Sequence, residues 1–428
     1  MPRRQRRLGY AIAAAAFLVI GVLTLLPASG EVARAARTPV WCILCGDLGT
    51  VDFLLNILLF VPLGIGLRLA GFSWRRAIVL AALLSCGVEL LQMKVITGRD
   101  ASLGDLIANT LGGALGAVAG THWQLLIRPK APQAQRMALT LAITLLAIWV
   151  GTAWALGPAF PRGARWYGAW APELDNLETF PGRPLMVIAG GEPLLPGGPA
   201  LDQQRLEDAV TARPSIAFRA ILAEQPTGMA PIGLIVDGWH RDVILIGQDR
   251  QDLAFQISMR ASIVKLRTPT VNLRNGMAGQ PGDTAEAEGA LRDGVFELRS
   301  QLHGRELTRR LPLSASWGWS LVTPWNSVLG EEVRSLTAFW IVGLVALLVY
   351  WSVLAGGASL VTIPVTLLLM LAAIPAAASF PPVHWSEWAA AAVGVLIGSF
   401  AAWRARRKRG GSETDPEDEE APSMEAAG

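Results

Sequence analysis

The chain has 428 residues, 52% of them hydrophobic against 17% charged, with a mean hydropathy of +0.39, a formal charge of +3 and a pI near 9.0. This balance excludes an intrinsically disordered chain and a fully soluble protein of this length. The basic excess does not point to nucleic acid, because many of the Lys and Arg residues stand at the ends of apolar runs, where a membrane topology needs them.

The first apolar run, 8–26, follows Arg3, Arg4, Arg6 and Arg7 and precedes the small residues Ala28, Ser29 and Gly30. That order also suits a signal peptide, but the run is longer than the ~7–15 residues usual there, which favours a retained membrane helix. In the following loop Cys42 and Cys45 form a C-x-x-C pair. In an oxidising compartment the pair closes a small disulfide, stays as thiols or acts as a redox dithiol, the first being favoured. Zinc would need further ligands, and His122, His240, His303 and His384 show no ligand spacing, so neither metal nor another cofactor is expected.

Runs 51–70, 77–93 and 106–127 predict three more helices, each able to cross ~30 Å of hydrocarbon at about 1.5 Å per residue. Ionised groups inside a bilayer core are costly, so the polar residues of these runs are the first candidates for a site. Asp52 and Asn56 lie four residues apart on one face of the second helix. Glu89 and Gln92 close the third, the next loop carries Lys94 and Arg99, and Ser102, Asp105 and Asn109 open the fourth. All fall at the same end of their helices and are expected to converge on one pocket, with Arg99 as the balancing cation. The competing expectation makes Asn56, Gln92 and Asn109 interhelical glue and Asp105 a helix cap. Gly112, Gly116 and Gly120 give the fourth helix a smooth packing face, and Cys86 reads as a small core residue.

Asn56-Ile-Leu-Leu-Phe60-Val-Pro62-Leu-Gly64, Glu89-Leu-Leu-Gln92 and the stretch from Arg99 through Ser102, Asp105, Asn109 and Gly112 to Gly116 resemble the VanZ-like family of bacterial membrane proteins. The resemblance spans roughly 8–127 and implies a four-helix membrane module associated, in the founding members, with low-level resistance to teicoplanin-type glycopeptides. It implies no reaction mechanism.

A fifth helix is predicted over 137–156, and then helical runs vanish from 158 to 330. Short alternating segments take over at 184–189, 215–223, 232–236, 242–247, 253–259, 295–302 and 319–323, separated by Gly-Gly, Pro-Gly, Asp-Gly and Asn-Gly turns, the pattern of an antiparallel sandwich. Within about 180–325, Ser215-Ile-Ala-Phe-Arg-Ala, Ala230-Pro-Ile-Gly-Leu-Ile and the stretch Arg241 to Ile257 resemble a laminin-G or concanavalin A-like jelly-roll. This likeness implies glycan binding, through aromatic side chains and sometimes calcium. Asp237, Asp242, Asp249 and Asp252 make no EF-hand and read as turn residues. Trp166, Trp170, Trp239, Trp317, Trp319 and Trp325 are the stacking candidates, with core and membrane-interface roles as alternatives. The insert's 17 basic and 18 acidic residues nearly cancel.

Three further spans are predicted at 335–354, 359–379 and 386–403, before a basic and then acidic, Pro-containing tail expected to be disordered. With the N-terminus inside, the cytoplasmic segments hold Arg3, Arg4, Arg6, Arg7, Arg68, Arg75, Arg76, Arg128, Lys130, Arg136, Arg404, Arg406, Arg407, Lys408 and Arg409, against Arg34, Arg37, Lys94 and Arg99 in short outer loops. This bias places both termini in the cytoplasm and 158–330 outside a bacterial inner membrane.

The expected architecture is thus a polytopic α-helical membrane protein of about eight spans with an inserted all-β jelly-roll: module 1–135, fifth helix 136–157, sandwich 158–330, three helices 331–403 and tail 404–428. The first reading is a non-enzymatic envelope protein. Asp52, Asn56, Glu89, Gln92, Arg99, Asp105 and Asn109 bind a membrane lipid or lipid-linked cell-wall precursor, and the sandwich binds a glycan or an envelope protein. The rival is an enzyme on such a precursor, with Glu89 or Asp105 as general acid or base and Arg99 on an anionic head group.

Overall fold

The computed structural model describes residues 3–25, 39–96, 101–161, 163, 165–174, 177–196, 198–199, 202–238, 241–323, 328–329 and 332–410. Arg34, Arg37, Arg99, Trp239, His240, Trp325 and the tail beyond 410 lie outside them. The helices α1 (Arg3–Leu25), α2 (Gly49–Ala70), α3 (Trp74–Lys94) and α4 (Leu103–Thr121) form a first bundle; the short α5 (Trp123–Ile127) and the long α6 (Ala131–Ala155) follow. Helix α2 stops at Gly71, whose φ of 108° is open to glycine and whose N–H closes the last turn on Arg68. Ser73 then caps α3 by accepting from the N–H of Arg76.

Glycine sets the closest approach in this bundle. A Cβ on Gly112 would lie 2.2 Å from the carbonyl of Ile57, and one on Gly116 2.1 Å from that of Val61. On the opposing helix, a Cβ on Gly64 would lie 2.2 Å from the carbonyl of Gly113. Backbone therefore meets backbone along α2 and α4, at a distance that any side chain would prevent.

Between α6 and the next long helix the chain forms a sandwich. Its strands are β1 (Trp166–Trp170), β2 (Arg183–Ala189), β3 (Glu192–Pro193), β4 (Gly198–Pro199), β5 (Ser215–Ile221), β6 (Met229–Asp237) and β7 (Asp242–Asp249). They continue with β8 (Asp252–Ile257), β9 (Thr270–Leu273), β10 (Thr284–Arg292), β11 (Val295–Leu302), β12 (Arg305–Pro312) and β13 (Val328–Leu329). One sheet runs β13-β9-β8-β7-β6-β1-β4 and the other β12-β11-β10-β5-β2-β3, antiparallel apart from the β13–β9 pair. Two-residue turns at Asp293-Gly294 and His303-Gly304, all four residues with positive φ, join β10 to β11 and β11 to β12. The sheets meet through Phe255 and Phe296, edge-on with centroids 6.0 Å apart. Ion pairs Arg219–Glu286, Arg292–Glu288 and Arg310–Glu297, each 2.6 Å, line the solvent face of the second sheet.

Six of the seven predicted strand segments lie on strands. The seventh, 319–323, does not: Ala315–Leu321 is a 3₁₀ turn, started by the Ser314 hydroxyl and seated on α6, where a Cβ on Gly318 would lie 2.8 Å from Thr152 Oγ1. The insert is also not purely β, since α7 (Gln203–Ala212) buries Leu206 and Val210 one turn apart and α8 (Arg260–Ile263) forms a single turn. Trp166 and Trp317 are core residues, and Trp170 and Trp319 are half-buried, with Trp319 Nε1 donating to Thr337 at 3.1 Å. None of these four is an exposed stacking platform.

The second bundle comprises α9 (Val333–Ala355), α10 (Thr362–Leu368), α11 (Ile374–Ala377) and α12 (Trp385–Gly410). A π turn, Leu369–Ala373, separates α10 from α11. Pro375, which lacks an N–H, stands just beyond it and breaks the regular ladder there. Trp351 Nε1 donates to the carbonyl of Leu126 at 3.0 Å, and the Tyr350 hydroxyl to that of Ile127, tying α9 to α5.

Among the described residues seven helices are long and apolar enough to cross a membrane: Arg3–Leu25, Gly49–Ala70, Trp74–Lys94, Ala131–Ala155, Val333–Ala355, Gly357–Ala377 and Trp385–Arg407. The protein is therefore a multi-pass membrane protein with a β-sandwich. Of the predicted fourth span, 106–127, only the end is corrected: α4 stops at Thr121, and the separate short helix α5 follows. Cys86 is corrected too, being exposed on the flank of α3.

Candidate functional site

The predicted polar residues converge in part. Asn56 Nδ2 on α2 donates to Asp105 Oδ1 on α4 at 2.6 Å. The backbone N–H of Asp105 donates to the Ser102 hydroxyl at 3.0 Å, and the N–H of Ser102 donates to Glu89 Oε2 on α3 at 2.8 Å. One hydrogen-bonded chain thus links three helices at the end facing the sandwich. Ser102, not Asp105, is the cap of α4; Asp105 occupies the first turn, where a carboxylate also suits the helix dipole.

Asn109 lies one turn deeper and donates to the Ser85 hydroxyl at 3.0 Å. Gln92 turns away from the chain and donates to the carbonyl of Thr24 on α1 at 3.0 Å. Both amides are buried, and the Gln92 and Asn109 carbonyl oxygens have no hydrogen-bond partner among the described residues. Asp52 is exposed and within electrostatic range of Asp105. Arg99, the expected cation, lies outside the described residues.

Sequence reasoning missed a second cation. Arg267, in the sandwich, lies within electrostatic range of Asp52 and donates from Nε to the carbonyl of Thr323 at 3.1 Å. No local signal marks it, because 215 positions separate it from Asp52 and only the fold joins them. Two residues earlier, Lys265 Nζ donates to the carbonyl of Leu44 at 2.6 Å, in the loop that Cys42 and Cys45 close as a disulfide. That loop in turn covers the start of α4, accepting at Val40 from Leu103 (2.7 Å) and at Cys42 from Gly104 (3.2 Å). The sandwich, the disulfide loop and the polar chain are therefore stacked in that order.

Where the loop meets β7, Asp242 keeps solvent access on one side, yet its carboxyl is pushed up to about 6, first by partial removal from water and then by the like charges of Asp47 and Asp237. The folded chain holds this proton more tightly than the unfolded one. Stability is therefore expected to fall as pH rises from the ordinary carboxylate value through about 6. Asp242→Asn should raise the melting temperature above that window and leave it unchanged at the acid end; equal shifts at both pH extremes would contradict the assignment.

The chain is a membrane protein whose first bundle carries a polar cluster under a sandwich. Residues 12–124 match the family model VanZ/LLP1, a stretch that begins within α1, takes in α2 to α4 and ends at the start of α5, before the sandwich. Neither curated proteins nor solved structures gave a match.

Proposed function

We propose that this VanZ-like membrane protein holds the polar head group of a membrane lipid or lipid-linked cell-wall precursor at the cluster around Asp52, Asn56, Glu89 and Asp105, with Arg99 and Arg267 offering positive charge. The observation that carries this reading is the Asn56–Asp105–Ser102–Glu89 chain, placed at the helix ends with Asn109 one turn deeper. In this reading the sandwich lies outside the bacterial cytoplasmic membrane, with both termini inside, which the charge bias of the loops supports. There it meets a glycan or an envelope protein in the manner of a laminin-G or concanavalin A-like domain. Its salt-bridged face favours a polar partner. A part in glycopeptide resistance follows from the VanZ-like module.

A second reading is favoured by the closeness of Glu89 and Asp105, which share Ser102: two carboxyls at one site are also the equipment of a general acid and base on a lipid-linked precursor. Binding and product formation, measured together on a polyprenyl diphosphate-linked sugar, separate the two. For binding alone, Glu89→Gln weakens affinity modestly, whereas Asn56→Leu, which strips Asp105 of a donor, weakens it about tenfold, ~1.4 kcal/mol. For catalysis, Glu89→Gln abolishes turnover, a loss of about 10²–10⁴, with affinity nearly intact. If both variants fold and leave affinity and turnover unchanged, the cluster is packing glue.

A further inference from the structure

The disulfide loop and the α8 turn expose apolar side chains outside the membrane-spanning helices. Trp41 is 78% exposed and Ile263 66%, and Val40, Ile43, Leu44 and Val264 are exposed beside them in sequence. Among the described residues, the other large exposed apolar side chains of the sandwich are Leu185, Met186 and Leu195, at the β2–β3 edge.

We infer that the disulfide loop and the α8 turn form one apolar lip that enters the leaflet on the sandwich side, so that the sandwich is seated in the lipid interface. Three observations place this lip at the membrane. The loop runs directly into α2, so Trp41 stands just beyond the end of a spanning helix. Through the Leu103-to-Val40 hydrogen bond the loop also continues the exposed stripe Leu103, Ile107, Leu111 and Leu115 on α4, a row four residues apart that faces away from the bundle. The α8 turn is held to the same loop by Lys265 Nζ on the Leu44 carbonyl, which brings Ile263 and Val264 to the level of Leu44.

The chemistry of the lip fits lipid. Indole is favoured at the headgroup boundary, and Lys265 presents an apolar stem with a charged end, the form that snorkels there. A short loop closed by Cys42–Cys45 keeps its carbonyls turned to α4 and Lys265, leaving its side chains outward. Seating the turn in this way fixes Arg267, four residues after Ile263, over Asp52. The proposal does not depend on what the polar cluster binds.

The test uses the full chain in vesicles of phosphatidylethanolamine and phosphatidylglycerol. Nitroxide labels are placed singly through Trp41→Cys, Ile263→Cys, Leu58→Cys as a lipid reference and Arg299→Cys as a water reference, in a Cys86→Ser background. Collision with oxygen and with a neutral nickel chelate reports the surroundings of each label. Labels at 41 and 263 should resemble the one at 58, with oxygen favoured over nickel by several-fold. Resemblance to position 299 would overturn the inference, as would shielding from both reagents, which would mean that another stretch of chain or a second copy covers the lip. Agreement at 263 alone, with a folded Trp41→Cys variant in water, would also overturn it, because the lip requires both parts.

Discussion

Alanine in place of Gly116 is expected to separate α2 from α4 and, with them, the two sides of the proposed head-group site. The added Cβ would sit 2.1 Å from the Val61 carbonyl and 3.0 Å from Gly64 Cα, atoms of a helix backbone that cannot yield as a flexible side chain would. Overpacking of this kind costs typically ~1–3 kcal/mol, and a contact with backbone on both sides belongs at the upper end. The proper comparison is Gly87→Ala on α3, where a Cβ meets nothing within 4 Å. Alanine there should be neutral or stabilise by up to about 1 kcal/mol through helix propensity. Thermal unfolding of the two variants in the same detergent decides the matter. Equal melting temperatures would show that α2 and α4 do not touch as described. This approach also holds Asn56 against Asp105, and a shift of about 1 Å would break their 2.6 Å hydrogen bond, so the binding proposed for this site should be lost with it.

The helices were legible in the sequence because hydrocarbon tolerates few charges, so the spans show as long, mostly apolar runs, several of them, such as 8–26 and 137–156, with Arg at one end. α4 was the exception in extent: Gly112, Gly113, Gly116 and Gly120 serve packing rather than apolarity, and the predicted boundary drifted past the break at His122. In the sandwich, β7 and β8 were readable because they are buried on nearly every residue. Strand β12 was not, since Arg305, Arg309 and Arg310 place charge on an edge strand, where it blocks pairing with another chain, and β10 mixes Ala and Glu. The polar residues of the site were legible one by one, through the cost of placing them in a bilayer. Their partners were not. Ser102 stood only among the residues that open the fourth helix, with the cap expected at Asp105, and Gln92 and Glu89, three residues apart on α3, turn to different helices. The contribution of Arg267 depends on how the insert is seated, which no local pattern encodes.

That seating has a second fastening, and its removal is the other large effect expected. Glu387, in the first turn of α12, is buried and accepts at Oε2 from the hydroxyls of Ser314 (3.0 Å) and Ser316 (2.6 Å) on the 3₁₀ turn. The same turn reaches α9 through Trp319 and Thr337 and lies on α6 at Gly318, so one carboxylate ties the end of the sandwich to the second bundle. Glu387→Ala leaves two buried hydroxyls without their acceptor, at about 1–3 kcal/mol each, while Glu387→Gln keeps a carbonyl in place and should cost less. Ser316→Ala removes one donor and lets Ser314 keep its bond. If the tie is real, Glu387→Ala and Ser316→Ala are not additive, because once the carboxylate is gone the second change removes an unpaired hydroxyl rather than a bond. A coupling of about 0.5–3 kcal/mol is expected in the double-mutant cycle, read from unfolding of the full chain in detergent. Strict additivity would mean that Glu387 and Ser316 do not meet, and the Trp319–Thr337 hydrogen bond would then remain as the described polar tie between this turn and the second bundle.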